Sequence, residues 1–119
     1  MLSDNGYAET AYSLVLREEY PSWLFSVKMG ATTIWEHWDS LRADGSMWSI
    51  GMNSFNHYAY GSVADWLYGD AAGIKTDESA PGFKHIIFAP LADGRLSYVK
   101  APSRAATALS ARNGIRRTA

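Results

Sequence analysis

A mainly α-helical chain that changes to a short antiparallel β segment near residue 80 is what the sequence predicts, on three observations. Apolar residues recur at three-and-four spacing near the N-terminus, and again over residues 55–67. Beyond a polar link the character changes to two short β-branched and aromatic runs joined through Asp93-Gly94. The chain has 119 residues, 47% of them hydrophobic and 13% aromatic. That is ample for a packed core in a single domain, so disorder throughout is excluded.

The elements follow in order. Asp4 is placed to cap a helix, and Ala8, Ala11, Tyr12 and Val15 share one face, so residues 6–18 are expected to form an amphipathic helix. Tyr20-Pro21 ends it, because the proline ring disfavours helical geometry in the residue before it. Residues 22–29 then form a short helix closed by Gly30, and the two make a helical hairpin. Thr32, Thr33, Ile34 and Trp35 favour an extended path leading into Glu36, which is expected to be irregular. Asp44-Gly45-Ser46 marks a turn. Ser54 caps a long helix over 54–69, with Phe55, Ala59, Val63, Trp66 and Leu67 on one face and Gly69 and Gly73 near its end. Strands are expected over 84–89 and 95–100. Residues 102–119 hold Pro102, much Ala and Arg and no aromatic residue, and are expected to be loose or weakly helical.

Composition excludes several functions. The net charge is −1, with 12 acidic and 7 basic side chains in residues 1–100 and four arginines without an acid after them. A mildly acidic body gives no electrostatic reason to hold a phosphate backbone, so no nucleic-acid partner is expected. No apolar run approaches the roughly 20 residues of a membrane span, and no membrane partner is expected. The first residues show no basic segment followed by an apolar one, hence no visible signal peptide. Without cysteine there is no disulfide and no thiolate metal site, and the compartment stays undetermined. No cofactor and no metal site is expected.

Chemistry concentrates in two places. In Thr32-Thr33-Ile34-Trp35-Glu36-His37-Trp38-Asp39-Ser40, two carboxylates, an imidazole and two indoles fall within nine residues. Sugar chemistry wants such a mixture: rings pack on the C–H faces of a pyranose, and a carboxylate accepts a proton from water or stabilises an oxocarbenium-like transition state. Residue types alone favour a plainer reading, in which Trp35 and Trp38 are core at three-residue spacing and Glu36 and Asp39 are solvated. The second cluster, Met52-Asn53-Ser54-Phe55-Asn56-His57-Tyr58, is expected on the first turn of the long helix, where the positive dipole end suits His57 to a neutral hydrogen-bonding role. Its alternative is a buried, satisfied histidine beside capping Asn53 and Ser54. A carbohydrate-binding module using the tryptophans, or a helical interaction module docking through its aromatic residues, would use the same side chains without catalysis.

Three phrases narrow these alternatives. Gly30-Ala31-Thr32-Thr33-Ile34-Trp35-Glu36, Met52-Asn53-Ser54-Phe55-Asn56-His57-Tyr58-Ala59-Tyr60-Gly61 and Pro81-Gly82-Phe83-Lys84-His85-Ile86-Ile87 resemble those of bacterial α-L-rhamnosidases, glycoside hydrolase family 78. Ser3-Asp4-Asn5-Gly6-Tyr7 and Tyr20-Pro21-Ser22-Trp23 resemble the same family in the same order, so the match covers about residues 2–100. The resemblance implies part of an (α/α)6 toroid over 1–74, a linker over 75–83 and the first strands of a β-sandwich domain over 84–101. It implies an inverting hydrolase of terminal α-L-rhamnosides, with a rhamnose-containing glycoside as substrate. Glu36 takes the place of the general base, and His57, with Trp35, Trp38 and Asn56, that of sugar-contacting groups. The family's general acid belongs to earlier toroid helices, upstream of this chain, and Asp39 is too near Glu36 in sequence to replace it. The isolated chain is therefore expected to be inactive. Its tail departs from the family after Ala101, as a truncated or shifted reading frame would produce.

Overall fold

A computed structural model of the chain describes residues 2–103 and 111–116, with side chains through Pro102. It divides into two compact units, Met1–Val63 and Ala64–Ala119.

The first unit begins with a 3₁₀ turn, Ser3–Asn5, and helix α1, Ala8–Val15. Ala11 and Tyr12 are buried, Tyr12 to 2% exposure, as the apolar spacing demands. Asp4 does not cap α1; it lies within the 3₁₀ turn, and Tyr7 holds the N-cap position without a side-chain bond. Helix α2, Trp23–Lys28, is capped by Ser22, whose buried hydroxyl accepts from the Phe25 N–H at 3.0 Å. At its other end Gly30 adopts φ +91°, and two reversed bonds, Gly30 N–H to the Val27 carbonyl and Ala31 N–H to that of Ser26, stop the helix.

Residues 31–58 contain no helix, so helices occupy a minority of the described residues and the expectation of a mainly α chain does not hold in detail. The long helix starts late: a 3₁₀ turn, Ala59–Ser62, passes into α3, Val63–Trp66, and then into a π turn, Leu67–Ala71. Ser54 caps no helix. Its hydroxyl accepts from the Asn56 N–H at 3.2 Å, and the nearby backbone groups bond to residues 34–36 instead of to a helical turn. The expected turn is present, with Gly45 at φ +82° and the Asp44 carboxylate accepting from the Ser46 N–H and hydroxyl at 2.9 and 2.7 Å. These bonds hold the Asp44 carboxyl below its ordinary range.

The second unit carries two antiparallel pairs. Strand β1, Ile74–Thr76, pairs with β2, Ile86–Phe88, in the register Ile74↔Phe88; β3, Tyr98–Ser103, pairs with β4, Ala111–Arg116. The strands expected at 84–89 and 95–100 thus do not pair with each other. The linker expected over 75–83 gives its first two residues to β1. Residues 111–116, expected loose or weakly helical, are a strand, while 104–110 and 117–119 lie outside the described residues. Pro102 is tolerated in β3 because a two-stranded sheet leaves one side of each strand without a ladder.

Ala72, Ile74 and Ala101 form a small core against which Val99 packs. Gly73 sets the path into it at φ +69°, where an added Cβ would stand 2.1 Å from the Pro90 nitrogen. Gly73→Ala should therefore cost about 1–3 kcal/mol in backbone strain alone, with the clash in addition. Chemical denaturation checks this, and a change within about 0.5 kcal/mol would contradict the geometry.

Candidate active site

The arrest of α2 at Gly30 releases residues 31–38 into an irregular, extended path, and Glu36 lies in it as expected. Three bonds then fasten this path to the segment before the 3₁₀ turn. The Glu36 N–H donates to the Ser54 carbonyl at 2.9 Å, the His57 N–H donates to the Ile34 carbonyl at 2.8 Å, and the Thr33 hydroxyl donates to the Phe55 carbonyl. The two motifs, distant in sequence, thus run side by side. Between them Trp35 is turned inward, 6% exposed, with its ring edge-on to Phe55 at 5.3 Å. Glu36 is half-buried, and Asn56 and His57 are exposed. His57 sits ahead of the helical run, so its role there owes nothing to a helix terminus.

The loop between the motifs is tied to Ser40, which is 0% exposed. Its hydroxyl accepts from the His37 N–H at 3.1 Å, and its carbonyl accepts from the Trp48 N–H at 3.1 Å and from Asn53 Nδ2 at 2.9 Å. One buried serine therefore links the turn after Glu36, the returning arm and the start of the His57 motif. The His37 ring stacks on Trp48, centroids 3.8 Å apart and planes 19° apart, and its Nε2 is buried with no protein partner.

Trp38 is packed otherwise than Trp35. It is half-buried, stacked on Tyr60 at 3.9 Å and edge-on to Trp23 at 5.0 Å, while Trp23 Nε1 donates to the Tyr60 carbonyl at 2.9 Å. The Ser26 hydroxyl fixes the Trp38 carbonyl at 3.1 Å. An apolar cleft of about 60 Å³ opens beside these rings, lined also by Val27, Ala31 and Ile34. The structure thus brings Glu36, Asn56 and His57 to adjoining segments, and it packs Trp35 and Trp38 against other rings. Sequence reasoning missed Ser40, Trp48 and Tyr60. Trp48 left a signal as one of five tryptophans in a short chain, and Tyr60 stands inside the second motif phrase.

Among the described residues no group of three or more His, Asp or Glu side chains is arranged to hold a metal ion. No helix among them is long and apolar enough to cross a membrane.

Residues 1–71, the part that holds this whole arrangement, match the family model of the bacterial alpha-L-rhamnosidase 6 hairpin glycosidase domain. The chain belongs to that family. An α-L-rhamnosidase of Streptomyces avermitilis is 40% identical over 101 residues, 85% of this chain and 10% of that protein. The crystal structure of the Streptomyces avermitilis α-L-rhamnosidase complexed with L-rhamnose superposes with a TM-score of 0.76 at 39% identity, covering 83% of this chain and 9% of that one. The α-L-rhamnosidase of Dictyoglumus thermophilum gives a TM-score of 0.78 at 38% identity over 98% of this chain and 12% of its own. A fragment of a six-hairpin toroid fits the first unit, and this rhamnosidase segment spans about a tenth of the length of the curated relatives it matches.

Proposed function

We propose that the chain is the part of an inverting α-L-rhamnosidase that supplies the general base, Glu36, for hydrolysis of terminal α-L-rhamnosides. The observation that carries this reading is the pair of backbone bonds, Glu36 to Ser54 and His57 to Ile34, which set the two motifs of the family side by side. In an inverting hydrolysis one carboxylate takes a proton from the water that attacks the anomeric carbon, and a separate carboxylic acid protonates the leaving oxygen. Glu36 is half-buried on the strip whose neighbour Trp35 is anchored inward, so its backbone is fixed while its carboxylate stays reachable. Asn56 and His57, exposed on the adjoining segment, offer hydrogen bonds to sugar hydroxyls. Trp35 and Trp38 serve the same site by holding the strip against Phe55 and Tyr60. The acid comes from residues outside this chain. The toroid over 1–74, with the β-sandwich domain begun over 84–101, is the framework of the same proposal.

In a full-length enzyme of the family carrying this segment, His57→Ala should raise KM for an aryl α-L-rhamnoside by about tenfold or less, the worth of one hydrogen bond. Steady-state kinetics measure it. An unchanged KM and kcat would remove His57 from the sugar site.

A further inference from the structure

The two peptide N–H groups that flank the Glu36 Cα are both held. The N–H of Glu36 itself donates to the Ser54 carbonyl at 2.9 Å, and that of His37 donates to the Ser40 hydroxyl at 3.1 Å. Ser40 answers with its own N–H, which donates to the His37 carbonyl at 3.2 Å, so the turn after Glu36 is closed in both directions. The Ser40 carbonyl accepts from Asn53 Nδ2 at 2.9 Å, and Asn53 directly precedes the Ser54 whose carbonyl takes the Glu36 N–H. A closed ring results: from Glu36 to Ser54, along the chain to Asn53, across to Ser40 and back through His37. Ser40 is 0% exposed within this chain alone, and Asn53 is half-buried. Hydrogen bonds shielded from water in this way hold their geometry, and a peptide plane moves as one body. The ring therefore fixes both planes that meet at the Glu36 Cα, and with them the direction in which the side chain leaves the backbone.

We infer that Ser40 and Asn53 are positioning residues for the hydrolysis: they aim the Glu36 carboxylate at the attacking water by fixing the backbone on either side of it. This rests on the reading of Glu36 as the general base. A base acts only within hydrogen-bond reach of its water, so a small rotation of its backbone lowers turnover. His57 is held separately, through its N–H on the Ile34 carbonyl at 2.8 Å. Loosening the ring thus leaves the sugar-contacting segment in place, and the loss belongs in kcat and not in binding.

Ser40→Ala and Asn53→Ala, each made in a full-length enzyme of the family carrying this segment, test the inference by steady-state kinetics on an aryl α-L-rhamnoside and by titration with L-rhamnose. Each is expected to lower kcat about tenfold, as a displacement well below 1 Å would, and to leave KM and L-rhamnose affinity within about twofold. The deciding readout is a double-mutant cycle with Glu36→Gln. Added to that variant, either substitution should change kcat by less than about twofold, because no base is left to aim. Ser40→Ala empties a fully enclosed position; should that protein fail to fold, Asn53→Ala, at a half-buried one, decides by the same measures. Turnover within about twofold of the parent, a rise in KM as large as the fall in kcat, or a loss that recurs at full size beside Glu36→Gln would each overturn the inference while Glu36 stands as the base. Near-normal turnover in Glu36→Gln alone would remove the base, and the inference with it.

Discussion

Glu36→Gln, made in a full-length α-L-rhamnosidase carrying this segment, is expected to lower turnover of an aryl α-L-rhamnoside by about 10²–10⁴-fold, the usual contribution of a positioned general base. L-rhamnose affinity should change little, because the amide has the volume of the carboxylate and loses only its capacity to take a proton. The effect belongs in kcat, since the base acts in the transition state and contributes little to ground-state binding. The variant should also fold normally. The Glu36 contact given to the framework is its backbone N–H, bonded to Ser54, and the substitution leaves that group in place. Near-normal turnover in the variant would remove Glu36 from the role of base.

The second expectation concerns the chain by itself. The 119-residue protein should show no measurable hydrolysis of an aryl α-L-rhamnoside. An inverting mechanism needs two carboxyl groups roughly 6.5–9.5 Å apart with a water between one of them and the sugar. Asp39, close after Glu36 in the chain, is half-buried and already paired with Arg42 at 3.8 Å. Losing the acid forfeits about 10²–10⁴-fold, and losing the rest of the sugar site forfeits positioning worth as much as roughly 7–11 kcal/mol. Groups that act as a unit do not add, so the residual activity should fall below detection. Turnover by the purified chain that vanished in its Glu36→Gln variant would show that an acid is present after all.

Local signals carried what local physics decides. The α1 and α2 helices were legible because the apolar spacing of Ala8, Ala11 and Tyr12 and the break at Tyr20-Pro21 act over one or two turns, and Gly30 marks the stop of α2 by the same short-range logic. What failed was non-local. Ser54, Asn56 and His57 look like a helix start, yet the carbonyl of Ile34, far back in the chain, takes the His57 N–H, and a chain read in windows does not contain that competition. Strand pairing failed for the same reason: β2 chose Ile74–Thr76 and β3 chose Ala111–Arg116, and composition says nothing of partners.

For the site, residue types alone favoured a solvated face for Glu36 and left His57 evenly open between a site residue and a satisfied core histidine. The proposed reading chooses between those alternatives on the motif resemblance, and the backbone bonds between the two motifs give a physical reason for their pairing. Ser40 was invisible because a serine is ordinarily a surface residue, and nothing in its neighbours announces that it will be wholly enclosed. Trp35 and Trp38 were placed with the sugar-contacting groups because indoles serve both cores and sugars. Their ring contacts with Phe55, Tyr60 and Trp23 show how the two tryptophans fix the strip that carries Glu36.

The most direct measurement is a crystal structure of a full-length enzyme carrying this segment, as the Glu36→Gln variant, with an unhydrolysed α-L-rhamnoside bound. The account predicts the substituted side chain at position 36 one water away from the anomeric carbon, on the face opposite the glycosidic oxygen, with the His57 ring against the same monosaccharide. A rhamnose ring bound with that water held by a different carboxylate, and the side chain at position 36 more than about 10 Å from the anomeric carbon, would contradict it.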